Sequence, residues 1–179
     1  MMLKKLNTLI RHLWWDDGDT RRHVPPDMAL RLKARVAASE SRHTGQIRVC
    51  VEAALPASYV WRINRSTPLA DVVRQRALMM FSKLRVWDTE HNNGVLIYLL
   101  LAEHAIEIVA DRALAQRVSP DAWDALVKRL ASALKAQQVE DGLTQALEEA
   151  SALLAQHFGM TATPGAAQRN ELPDAPHLQ

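Results

Sequence analysis

Residues 95–102 read VLIYLLLA, an apolar run with no charged residue on either face. A helix needs about 18 such residues to span a bilayer, so this run is far too short for that role. A strand that is apolar on both faces has to be covered on both. The run is therefore expected at the centre of a sheet, with helices above and below. Glu103 and His104 make a tight turn into a second, shorter run, AIEIVA, at 105–110. So short a link makes the two an antiparallel hairpin. Upstream, 47–55 reads IRVCVEAAL. It is a strand with Ile47, Val49 and Val51 on one face and Arg48, Cys50 and Glu52 on the other. A long helix separates this strand from the central one, which makes that pair parallel through a right-handed crossover.

The helical segments carry their own punctuation. Pro25 and Pro26 open a helix running to about Ser41, and Gly45 is read as a left-handed stop after it. Thr67 caps the next helix, with Pro68 in its first turn. Leu69, Val72, Val73, Arg76, Ala77, Met80 and Leu84 then repeat at helical spacing. Arg76 interrupts that stripe, so it must reach out of the core or find a partner. Ser119 caps a further helix whose stripe is Trp123, Leu126, Val127, Leu130 and Leu134. In the last helix Val139, Leu143, Leu147, Ala150 and Leu154 face inward, and Gly159 ends it. The fold class is α/β, a three-layer α/β/α sandwich around a small mixed sheet. The chain divides into a basic amphipathic segment at 1–22, the α/β domain at 23–159 and a tail at 160–179. The tail is rich in Pro, Ala and Gln and is expected to be disordered.

Twenty-two basic residues against twenty acidic ones leave a net charge of +2. That balance gives no electrostatic footprint for nucleic acid. Cys50 is the only cysteine, so no internal disulfide can form, and its apolar neighbours make it a buried small side chain. Asn7, Thr8, Arg11 and His12 break the first apolar stretch, which does not read as a secretion signal. With no transmembrane span either, the expected location is cytoplasmic, with a peripheral membrane association through the N-terminal segment as an option. In that segment Leu3, Leu6, Leu9, Ile10 and Leu13 fall on one helical face, among Lys4, Lys5 and Arg11, and Trp14 and Trp15 close it. Such a helix either caps the domain or offers Trp14 and Trp15 to a protein partner or a membrane surface.

Chemistry concentrates between the crossover helix and the central strand. Residues 88–93, DTEHNN, hold two carboxylates, an imidazole and two amides. An antiparallel hairpin brings its outer ends together, so Asp111 returns toward this loop. Asp88, Glu90, Asn92 and Asp111 thus form a candidate site for calcium or magnesium, which take oxygen ligands. The alternative is a solvated turn with Asn93 or Gly94 at positive φ. His91 and His104 have no cysteine or paired histidine to build a zinc site. Phosphate-binding glycine loops and nucleophile elbows are missing from the sequence.

Three stretches together resemble the TPM domain family over about residues 25–158. HTGQIRVCVE looks like that family's first strand and its lead-in. FSKLRVWDTEHNNGVLIYLLLAEHAIEIVADRAL looks like its central signature, a helix end, a polar loop, Asn-Gly and an apolar hairpin. ALVKRLASALKAQQVEDGLTQALEEASALL looks like its closing helix pair. Asn92 stands where many members carry an aspartate. The resemblance implies an accessory or interaction domain that binds a divalent cation through the loop acids. It also implies, as the alternative activity, metal-assisted phosphomonoester hydrolysis of the acid phosphatase kind.

Overall fold

The computed structural model describes residues 2–135, 139–160 and 170–179, with side chains omitted for residues 2–6, 17, 124 and 133–135. The side chains of the expected inward positions Leu3, Leu6 and Leu134, and tail residues 161–169, lie outside what is described. The elements are α1 (Met2–Trp14), α2 (Asp17–His23), α3 (Pro26–Glu40), β1 (Ile47–Glu52), α4 (Ala57–Val60) and α5 (Leu69–Lys83), followed by β2 (Val95–Leu100), β3 (Ala105–Ala110), α6 (Arg112–Ala115), α7 (Pro120–Lys135), α8 (Val139–Phe158) and β4 (His177–Leu178).

The sheet order is β3-β2-β1-β4. β1 and β2 run parallel, Ile47 opposite Val95 and Glu52 opposite Leu100. β2 and β3 are antiparallel, Val95 opposite Ala110. A single turn at Leu101–Glu103 joins them, and His104 closes it in the left-handed region at φ 47°. Every residue of β1 and β2 is buried. Their side chains alternate between two cores. Ile47, Val49, Val51, Val95, Ile97 and Leu99 pack with Leu32 of α3, Leu130 of α7 and Leu147 of α8. Cys50, Leu96, Tyr98 and Leu100 pack with Val72, Val73, Ala77 and Met80 of α5. Two cores on one sheet are the three-layer sandwich expected from an apolar central strand. No described helix is long and apolar enough to cross a membrane.

Several local expectations change. The N-terminal segment expected as one amphipathic unit over 1–22 holds a second helix, α2, because Asp16 and Asp19 cap one another's backbone amides and supply a helix start. α5 has Pro68 as its N-cap, and Asn64 rather than Thr67 organises the approach by accepting from the amides of Ser66 and Thr67. Gly45 is required for closeness instead of a left-handed turn: a Cβ there would lie 2.4 Å from Leu154 Cδ2.

The largest correction concerns the tail. Residues 170–179 are packed, and β4 adds a parallel edge to β1, His177 opposite Cys50 and Leu178 opposite Val51. Leu172 is buried in the second core.

Candidate functional site

The loop entering β2 is built from hydrogen bonds that its short polar residues make to their own backbone. Past the end of α5, Arg85 reverses the chain at φ 56°, and the amide of Asp88 donates to its carbonyl. The amide of Asn92 then donates to Thr89 O, and that of Asn93 to Thr89 Oγ1 at 3.1 Å. Asn92 takes the left-handed conformation, φ 51°, which asparagine tolerates better than most residues. Positive φ therefore falls one residue earlier than the Asn-Gly pair suggests. Gly94 is needed for a different reason: a Cβ there would sit 2.0 Å from the Val86 carbonyl oxygen.

The hairpin closes on this loop as expected. The Asp111 amide donates to Gly94 O at 2.8 Å, and the Ala113 amide to Asn92 O at 3.0 Å. Asp111 caps α6, its Oδ1 accepting from the Arg112 amide at 2.7 Å. Arg112 reaches back, its Nε donating to Asn92 Oδ1 at 3.1 Å. Two buried oxygens at this rim are left without a hydrogen-bond donor, Asn93 Oδ1 and Asp111 Oδ2. Asn93 is fully buried, and its Nδ2 is fixed by Thr44 Oγ1 at 3.1 Å. Buried acceptors without donors are uncommon and each calls for a partner.

The four sequence-derived positions divide. Asn92 and Asp111 are brought together. Asp88 is exposed and ion-paired with Arg85. Glu90 is exposed, and its amide donates to Glu171 Oε2 at 2.9 Å. Among the described residues no group of three His, Cys, Asp or Glu side chains converges in a way that could hold a metal. A site made of Asp88, Glu90 and Asp111 is therefore not assembled among the described residues. The buried oxygens left without a partner at this rim are Asp111 Oδ2 and Asn93 Oδ1, both of the hard-donor type that calcium and magnesium take. Asn92 Oδ1 is already spent on Arg112. Asn93 escapes a sequence reading because the Asn-Gly pair reads as turn chemistry, and the partner that fixes its side chain, Thr44, is distant in sequence.

The remaining candidates are placed as follows. Trp14 is 82% exposed, with Leu13 and Ile10 exposed beside it. Trp15 is not part of that patch: it packs against the first core, and its ring lies 5.1 Å from that of His23. α1 is held by His12, which is buried, accepts the Leu55 amide at Nδ1 and lies 2.9 Å from Glu103 Oε1 through Nε2. Cys50 is fully buried, and burial pushes its thiol up to about 12, so it is no nucleophile. A cleft of about 570 Å³ lies beside β3, lined by Arg74, Glu107, Ile108, Ala110, Trp123 and Lys128 among others. Its Arg74 is engaged by Glu107 Oε2 and Ile108 O.

Comparison with known proteins bears on the whole of this frame. A family model described as the TPM domain matches residues 24–153. No curated protein matches the chain. The NMR structure of the BA42 protein from the psychrophilic bacterium Bizionia argentinensis superposes with a TM-score of 0.68 at 24% identity, covering 84% of this chain and 92% of that one. At that identity the likeness is one of fold.

Proposed function

Because the chain belongs to the TPM domain family, we propose that it is a non-enzymatic interaction domain that binds one divalent cation at the rim between the β2 entry loop and Asp111. The observation that carries this reading is the presence of two buried, donorless oxygens, Asn93 Oδ1 and Asp111 Oδ2, in the two segments that the Gly94–Asp111 backbone hydrogen bond joins. Calcium or magnesium supplies the positive charge that this pair lacks. With so few protein ligands, water completes the shell and affinity is low. The exposed Ile10, Leu13 and Trp14 on α1 support the interaction role, as a face for a protein partner or a membrane surface.

The test is a calcium and a magnesium titration of the full chain followed by amide NMR. Saturable shifts confined to the amides of Asn93, Gly94, Asp111 and Arg112 are expected, and Asp111→Asn should remove them. Spectra unchanged by millimolar metal would end the cation reading. Metal-dependent hydrolysis of a generic phosphomonoester, abolished by Asp111→Asn, would replace the accessory role with a catalytic one.

A further inference from the structure

The contacts that hold residues 170–179 have an unusual character: the body of the domain grips mainly the main chain of this segment. Gln46 Oε1 accepts both the Glu171 and the Leu172 amides, each at 3.0 Å. Arg48 donates to the carbonyls of Pro173 and Ala175. The Thr20 hydroxyl donates to Gln179 O at 2.9 Å. β1 itself contributes two ladder bonds, Gln179 N to Val51 O at 3.0 Å and Ala53 N to Gln179 O at 2.8 Å. Thr20, Gln46 and Arg48 are all buried. Side-chain recognition comes from separate anchors. Leu172 enters the second core, Leu178 packs on the first, Glu171 Oε2 accepts the Glu90 amide at 2.9 Å, and Gln179 Nε2 donates to Glu52 Oε1 at 2.9 Å.

Such a groove reads an extended backbone and asks for very little sequence. The strand ladder itself is short, since β4 registers only two residue pairs against β1 while β2 registers six, and the rest of the hold comes from Thr20, Gln46 and Arg48. We propose that the outer edge of β1 is a peptide-docking site filled by parallel strand addition. Residues 170–179 are its resident competitor. The intended occupant is an extended segment of a partner protein with an apolar residue at the Leu172 position and a Leu-Gln pair at positions 178–179. Tethering gives the resident segment a high effective concentration, so only a partner of sufficient affinity displaces it. This rests on the interaction-domain reading and not on the cation, and the metal titration fails or succeeds independently of it.

The experiment uses the full chain and a fluorescent peptide, NELPDAPHLQ, copied from residues 170–179. Leu172→Asp in the full chain removes the apolar anchor and frees the groove. The peptide is expected to bind this variant at least about tenfold more tightly than the unmodified chain. Adding Arg48→Met to Leu172→Asp should weaken that binding about tenfold again, with both variants keeping dispersed amide spectra. No peptide binding to a folded Leu172→Asp chain overturns the proposal. So does a concentration-dependent dimer built on exchanged tails, which would assign the groove to a second copy. Hydrogen exchange on the unmodified chain gives a readout that needs no variant. The Leu172 and Gln179 amides should exchange about a hundredfold faster than the Val95 amide, which bonds to Gln46 O. Equal protection would mean a permanent strand and no site.

Discussion

Arg76 lays its guanidinium along the carboxylate of Glu52 in the second core, Nε 2.9 Å from Oε2, with both side chains buried. This is the partner that the interrupted helical stripe of α5 demands. Glu52 also accepts from Tyr98 Oη at 2.6 Å, so its charge is answered on more than one side. Removing one member of a buried pair leaves the other charge uncompensated, at a cost of about 3–5 kcal/mol. Arg76→Met should lower the urea unfolding free energy by about that much. Arg76→Met combined with Glu52→Gln should recover a good part of it, and a double-mutant cycle reads the coupling.

Gly94→Ala tests how tightly the β2 entry is clamped. The new methyl would meet the Val86 carbonyl, a backbone group that cannot rotate away. Either β2 shifts or the loop opens. A loss of about 2–4 kcal/mol in chemical denaturation is expected, near the upper range for single substitutions. The same change should broaden or move the Asp111 amide resonance, since Asp111 bonds to Gly94 O.

Two buried groups give the stability opposite pH slopes. Burial raises the Glu40 carboxyl to about 7, despite the Ile47 amide donating to its Oε1 at 2.9 Å. The folded state then holds a proton that the unfolded chain has released, so Glu40's contribution is present below about pH 4.5 and is lost as pH rises to about 7. Burial lowers His43 to about 4. Its contribution is present above about pH 6.5 and is lost as pH falls toward 4. Urea midpoints measured from pH 4 to 8 should fall at both ends of that range. Glu40→Gln should flatten the rise-side loss, and His43→Asn the acid-side loss.

The two sides of α1 should separate cleanly under mutation. Trp14→Ser touches an exposed residue and should change stability by no more than about 0.5 kcal/mol. It should nevertheless weaken any partner or vesicle binding by the N-terminal segment. His12→Ala strands the Leu55 amide and breaks the link to Glu103. A loss of about 1–3 kcal/mol, with faster proteolytic removal of α1, is expected.

The layers were legible because they follow from periodicity. A run apolar on both faces, a tight polar turn and a helix-length crossover leave few ways to arrange β1, β2 and β3. The Asn92–Asp111 approach was legible for the same reason, being a property of any hairpin. What periodicity cannot register is a segment held by its main chain. Residues 170–179 offer only Leu172 and Leu178 as apolar anchors, and their order depends on Gln46 and Arg48, more than a hundred residues away. Among the described residues Asp88 pairs with Arg85, one turn away, and does not converge with Glu90 and Asp111 on a common point, a side-chain arrangement that periodicity does not encode.

The two sides of the three-stranded core of the sheet are covered by different means. On one side β4 covers β1. On the other, Arg74 sets a cation against β3, donating to Ile108 O at 2.7 Å and pairing with Glu107. An uncovered ladder recruits strands from neighbouring molecules, and charge or capping along it prevents this. By occupying the Ile108 carbonyl, Arg74 leaves β3 with one fewer free ladder group to offer a neighbouring strand.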